Sequence, residues 1–240
     1  MTIVADIVSF NYRVQTMSYL GSKAASGAYQ AIIGLMPPHD VYIEAFLGSG
    51  AVMRNKPPAL RSIGIDLSTA AIDGFNCVDQ AELICTDAQA FIANFDYAGS
   101  GRVLIYADPP YLLSTRTSRA RYKFEYSEAD HIMLLELLRI VPAAVILSGY
   151  PSKLYDELLP DWKSFEFQAM TRGGVRTEKL WFNFEPAAKF WSSYAGKDFT
   201  DRQRIKRKAH RWAVAYNDLP PAEKLAVFAA LIETHAVHGS

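Results

Sequence analysis

Four consecutive residues, Asp108-Pro109-Pro110-Tyr111, combine groups that suit an amino group on a flat heterocycle. A carboxylate accepts a hydrogen bond from an exocyclic amino group. The two prolines stiffen the backbone and leave their carbonyls without an accompanying N–H. The tyrosine offers an aromatic face on which a planar base stacks, worth about 1–3 kcal/mol in single-stranded nucleic-acid sites. The preceding Val103–Ala107 reads as a strand, and ligands of open α/β sheets bind beyond the carboxyl ends of strands. The same tetrapeptide also suits a plain strand-ending turn, where Asp and Pro are common.

A second candidate is Glu44-Ala45-Phe46-Leu47-Gly48-Ser49-Gly50, where a strand passes into a helix. Glycines allow a tight turn and close approach of a ligand, and a helix N-terminus is electropositive. The segment has neither the Gly-Lys-Ser/Thr ending of a phosphate loop nor the glycine spacing of a dinucleotide fingerprint. Asp66 ends the next strand, where an acid can hold ribose hydroxyls, and Asp87 follows Leu83–Thr86, where it could face a purine edge. Helix N-capping is the alternative for both acids, and for Asp87 taken alone it is the better explanation. Tyr19-Leu20-Gly21-Ser22-Lys23 precedes the first helical pattern, with Ser22 able to cap it.

The elements that must position these groups alternate along the chain, which predicts an α/β sheet. Strands are expected at Val41–Phe46, Ser62–Ile65, Val103–Ala107, Ala143–Leu147, Phe165–Ala169 and Leu180–Phe184. Helices are expected at Ala24–Leu35, Ala51–Asn55, Thr69–Asn76, Ala88–Asn94, Glu128–Ile140 and Lys153–Leu158. Ser127 and Asp130 form a capping-box pattern before the fifth helix. The last two strands, joined through Gly173-Gly174 with no helix between them, should pair antiparallel at one sheet edge. Beyond Pro186, Phe199–Asn217 and a helix opened by Pro220-Pro221 read as a helical extension. The domains are therefore expected at 1–186 and 187–240.

Composition bounds the function. With 240 residues, 25 basic against 25 acidic side chains and half of the residues hydrophobic, the chain suits a globular domain, and any nucleic-acid contact must come from a local patch. No apolar run reaches the length of a membrane span, and no signal-peptide pattern opens the sequence, so a cytoplasmic location is expected. Cys77 and Cys85 lack metal-ligand spacing, and no metal is expected.

Taken in order and approximate spacing, Tyr19–Lys23, Tyr42–Val52, Asp66 and Asp108–Tyr111 resemble the Dam-like family of N6-adenine-specific DNA methyltransferases. Ile146–Tyr150 and Arg176–Trp181 resemble later segments of the same family, so the likeness spans about residues 17–186. The resemblance implies a Rossmann-like methyltransferase sheet with an antiparallel edge strand and S-adenosylmethionine as cofactor. Carried over by motif position, Tyr19 and Lys23 would contact the cofactor. Glu44, Phe46, Gly48, Ser49 and Gly50 would line its site, and Asp66 would hold the ribose. Asp108 and the Pro109 carbonyl would accept from the adenine amino group, with Pro110 fixing the turn and Tyr111 stacking on the ring.

A base inside duplex DNA must be flipped out to be reached. Arg116, Arg119, Arg121 and Lys123 interleave with Tyr122, Phe124 and Tyr126 just after the tetrapeptide, and with Arg172 and Arg176 they are the expected contacts to double-stranded DNA. A solvated loop is the alternative for any one of them. Only 41 residues separate Asp66 from Asp108, which leaves no room for the recognition region that Dam-like enzymes commonly carry there. Recognition is then short or relaxed, or the extension substitutes through Arg204, Arg207 and Lys208. The alternative for this last helix is docking through Ile205, Trp212 and Tyr216, its basic face merely wet. Methylation of an RNA base and a non-catalytic nucleic-acid-binding module are the competing functions.

Overall fold

A computed structural model of the chain describes residue 23 and residues 28–75, 81–116, 123–171, 174–186 and 199–237. Seven strands form one sheet: β1 (Val41–Glu44), β2 (Arg61–Asp66), β3 (Glu82–Cys85), β4 (Val103–Ala107), β5 (Ala144–Gly149), β6 (Lys163–Thr171) and β7 (Gly174–Phe182). Their spatial order is β3-β2-β1-β4-β5-β7-β6, with the first five parallel and β7 antiparallel to both neighbours. Helix α1 (Ala28–Leu35) precedes the first strand, and α2 (Ala51–Asn55), α3 (Thr69–Asp73), α4 (Ala88–Asn94), α5 (Glu128–Ile140) and α6 (Lys153–Leu158) connect the strands that follow.

The central strands are buried on both faces, which is why Val-Tyr-Ile-Glu and Val-Leu-Ile-Tyr-Ala read as nearly unbroken apolar runs. Their side chains alternate between two cores. Ile43, Ile63, Ile105 and Leu147 pack under α4, α5 and α6, whereas Tyr42, Leu104, Tyr106 and Ile146 pack under α1 and α2. The capping box at α5 is complete: Ser127 Oγ accepts from the Asp130 N–H, and the Ser127 N–H donates to Asp130 at 2.8 Å.

The hairpin departs from its expected limits. β6 and β7 pair over nine residues each, longer than the patterns Phe165–Ala169 and Leu180–Phe184 predict. Only Lys179–Phe182 also pairs with β5, so the other half of β7 has a strand on one side alone and carries polar residues that hide its strand character.

The extension consists of α7 (Phe199–Asn217) and α8 (Pro221–Val237), joined by a hydrogen bond from the Tyr216 hydroxyl to the Lys224 carbonyl at 3.1 Å. Of the three residues that would dock α7, Trp212 is exposed, whereas Ile205 and Tyr216 are half-buried. Among the described residues no helix is long and apolar enough to cross a membrane.

Candidate active site

Strand register builds the site. The order reverses between β1 and β4, and at such a switch point the helices leave on opposite faces and open a crevice beyond the strand ends. Glu44 lies opposite Gly64 of β2 and Tyr106 of β4. Asp66 and Asp108 therefore both stand two residues beyond the level of Glu44, at the carboxyl edge. Because side chains alternate, Glu44 and Asp108 share the face of Tyr42 and Tyr106, toward α1 and α2.

The glycine turn wraps one wall of the crevice. Gly48 and Gly50 have φ of 51° and 62°, the left-handed region that favours glycine. Asp66 holds this turn in place: one carboxylate oxygen accepts the Gly48 N–H and the other the Ser68 N–H, each at 2.8 Å. Each oxygen keeps acceptor capacity for a hydroxyl on the open side.

On the other wall, the Lys23 ammonium lies 2.7 Å from both Asp108 oxygens and donates to the Tyr111 hydroxyl at 2.7 Å. Tyr111 in turn donates to Glu178 at 3.3 Å, and Glu178 stands 3.8 Å from the same ammonium. Lys23 is thus shared by two carboxylates in a nearly dry pocket. Burial raises the Asp108 carboxyl above its ordinary range, while Lys23 opposes the shift and Glu178 adds to it.

Glu44 is 2% exposed. Burial lifts its carboxyl to about 8, against the hydrogen bond donated by Tyr42 at 2.9 Å, and the nearby Asp108 charge raises it further. A neutral Glu44 spares Asp108 a second like charge beside it. Because the folded value lies above the ordinary glutamate value of 4.5, this group favours the folded state below about 4.5, and that contribution is lost as pH rises toward about 8. The melting-temperature gap between Glu44→Gln and the parent should therefore widen from pH 5 to 8 and level off above it. A gap that stays constant would mean that Glu44 is ionised in place.

Lys23, Glu44, Phe46, Gly48, Ser49, Asp66, Asp108, Pro110 and Lys123 all border one cavity between these walls. Residues not anticipated in the sequence also border it: Leu67 and Thr86, each directly beyond a strand, and Tyr106. Phe124 and Tyr126 also line it. Tyr126 is braced from behind by ring contacts to Phe46 and His131, and His131 by a 2.8 Å hydrogen bond with Tyr155.

Several expected roles change in the structure. Tyr111 does not present an open face for stacking. Its ring is 5% exposed, packs edge-on against Tyr150 at 4.5 Å, and its hydroxyl is engaged by Lys23 and Glu178. Asp87 accepts the Ala90 N–H and caps α4, and it does not border the cavity. Gly50 also lies outside the lining, where it turns the chain into α2.

Among the expected DNA contacts, Arg116 turns inward. Its guanidinium donates to the Tyr111 carbonyl at 2.5 Å and forms an ion pair with Glu125, closing the loop's ends onto the tetrapeptide. Arg176 donates to the Tyr150 hydroxyl at 3.3 Å, and Arg204 is paired with Asp201 on its own helix. Lys123 lies 5.2 Å over the Phe124 ring, both lining the cavity, and Arg207 and Lys208 are exposed on α7. Pro109 lies between Asp108 and Pro110 without bordering the cavity. Tyr19, Arg119, Arg121, Tyr122 and Arg172 lie outside the described residues.

The strand order, the antiparallel β7 and the carboxylates at the switch point define a Rossmann-like methyltransferase fold. No family model and no curated protein matches the chain. Solved structures that resemble it include an N-methyltransferase, NodS, from Bradyrhizobium japonicum (12% identity, TM-score 0.44, covering 65% of this chain and 93% of that one). A SAM-dependent methyltransferase from Agrobacterium tumefaciens is similar (18%, 0.42, 66% and 60%), as is TrmN from Thermus thermophilus (16%, 0.41, 65% and 46%). At such identities and TM-scores these likenesses carry no argument about substrate.

Proposed function

We propose that the chain transfers a methyl group from S-adenosylmethionine to the exocyclic amino group of adenine in DNA. The observation that carries this reading is the meeting of Asp108 and the Asp66-tethered glycine turn in a single crevice at the sheet's switch point. The residues fit the cofactor: a left-handed glycine turn would allow close approach, the Asp66 oxygens have spare lone pairs for ribose hydroxyls, and Asp108 would supply an anion to complement a sulfonium. When bound, the cofactor supplies an already activated methyl group, so alignment is most of the enzyme's task.

The chain's residues then act on the amino group. Its lone pair is delocalised into the adenine ring, which makes it a poor nucleophile. A fixed acceptor at Asp108 favours the pyramidal, reactive geometry and stabilises the positive charge that develops there, with the Pro109 carbonyl as second acceptor only if it turns toward the cavity it does not border here. Phe124, which lines the cavity, is 39% exposed and is flanked by the Lys123 ammonium, is the open aromatic face on which a flipped base stacks.

The test is incubation of the purified protein with labelled cofactor and unmethylated genomic DNA, followed by base-resolved mapping. Methyl-adenine within one short motif supports both activity and specificity, and scattered methyl-adenine supports relaxed recognition. Transfer to structured RNA alone would move the substrate, and absence of cofactor binding would favour a non-catalytic module.

The basic face of α7 supplies phosphate contacts in this reading. Replacing Arg207 and Lys208 with glutamine should weaken DNA binding across all sequences and lower the slope of log affinity against log salt by about 2. Arg204, tied to Asp201, should contribute less. An unchanged slope would remove α7 from the DNA interface.

A further inference from the structure

Glu178 has no part in the reading above, yet it completes the buried cluster around Asp108. β7 runs antiparallel to β5, so its first half points toward the carboxyl edge of the parallel strands. Asp108 directly follows Ala107, the partner of Leu147, and so stands beside Ser148, whose own partner on the far side is Leu180. Glu178 lies one side-chain period before Leu180 and shares its face. It is 6% exposed and stands 3.8 Å from the Lys23 ammonium, with the Tyr111 hydroxyl bridging the two.

We infer that Glu178 is the second seat for the Lys23 ammonium, which moves onto it when Asp108 takes an amino group. The inference rests on the proposed role of Asp108 as acceptor. In the present arrangement Lys23 contacts both Asp108 oxygens, so it neutralises the carboxylate and takes a lone pair from each oxygen. An amino group needs that carboxylate as a strong acceptor. A buried ammonium cannot leave its partner without another anion to receive it. Glu178 is that anion, and an approach of about 1 Å brings Nζ into hydrogen-bond range. Tyr111 keeps contact with both during the shift, which gives its buried hydroxyl a use that stacking would not. No proton or covalent bond changes hands; only the ammonium's partner changes.

Two measurements test this positioning role. The first is a stability cycle in the free protein, with Asp108→Asn, Glu178→Gln and the double variant. If each carboxylate can seat Lys23, the single variants lose little. The double variant strands a buried cation, and its melting temperature should fall by about 4 °C or more beyond the sum of the singles. Additive losses would overturn the inference, because Lys23 would then not be shared.

The second measurement is kinetic. Glu178→Gln keeps size and hydrogen bonding but leaves Lys23 on Asp108. Methyl transfer should slow by about 10²-fold with cofactor affinity unchanged, the scale of a 1 Å misplacement. On a Lys23→Gln background the same change should cost nothing further, and Glu178→Asp should restore part of the rate. Losses that multiply on that background would mark Glu178 as a packing residue and overturn the handover. A non-additive stability cycle in a protein that methylates no DNA would leave the shared lysine standing and reject the substrate.

Discussion

Asp108→Ala is expected to lower the rate of methyl transfer by about 10³-fold, at the upper end of what loss of one preorganised polar group costs. The melting temperature should stay within a few degrees of the parent. The two halves of this expectation have separate physical origins. Asp108 is the first residue beyond β4, so its side chain contributes to neither apolar core. Removing one partner of a buried ion pair ordinarily leaves a costly unpaired charge. Here the Glu178 carboxylate already stands 3.8 Å from Lys23 and Tyr111 bridges them, so the ammonium retains an anion. The rate has no such reserve, because the other carboxyls that border the cavity are committed elsewhere: burial favours the neutral form of Glu44, and Asp66 tethers the glycine turn. The measurement is initial rate with labelled cofactor on DNA, alongside a thermal melt of the same preparation. Parent-level methylation by the variant would reject Asp108 as the acceptor, and a collapsed melt would make its role structural.

The second large effect falls on the glycine turn. Gly50 has φ of 62° and ψ of 32°, and a Cβ there would land on the Phe75 ring. Phe75 cannot swing freely: it is buried among the α1–α2 core residues and lies beneath the Arg54 guanidinium, 4.1 Å from its ring centre. Gly50→Ala therefore combines left-handed strain of about 1–2 kcal/mol with overpacking of about 1–3 kcal/mol. For a chain of this size that corresponds to a fall of roughly 5–15 °C in melting temperature. Cofactor affinity should fall as well, because Leu47–Gly50 closes through its own hydrogen bond at 2.6 Å and any shift of Gly50 moves the wall. A variant that melts like the parent would show that the turn relaxes at no cost. Isothermal titration with S-adenosylmethionine separates the two effects, since a purely structural loss would leave affinity intact at low temperature.

The parts of this protein legible in its sequence are those governed by local periodicity and local chemistry. The apolar runs of β1 and β4, the capping box of α5 and the short helices Ala51–Asn55, Ala88–Asn94 and Lys153–Leu158 repeat within a few residues and so declare themselves. Asp66 and Asp108 were visible because strand ends of an α/β sheet are where ligands bind, and a carboxylate there stands out in a window of five residues. The half of β7 that carries Glu178 was hidden, because a strand with a neighbour on one side alone keeps polar residues and loses the apolar pattern.

Three-dimensional packing decided the rest. Whether Tyr111 faces a ligand or a lysine depends on Lys23, 88 residues away in sequence, and on Glu178, 67 residues away. Whether Arg116 meets solvent or the Tyr111 carbonyl depends on Glu125, nine residues on, standing where it pairs with the same guanidinium. Charge type is written in the sequence, but the partner of a charge is set by strand register and crossover connections, which bring distant residues together by geometry that no local pattern records. The sequence determined an α/β sheet with carboxylates at its strand ends; the tertiary structure alone decided the strand order and that one buried lysine stands between Asp108 and Glu178.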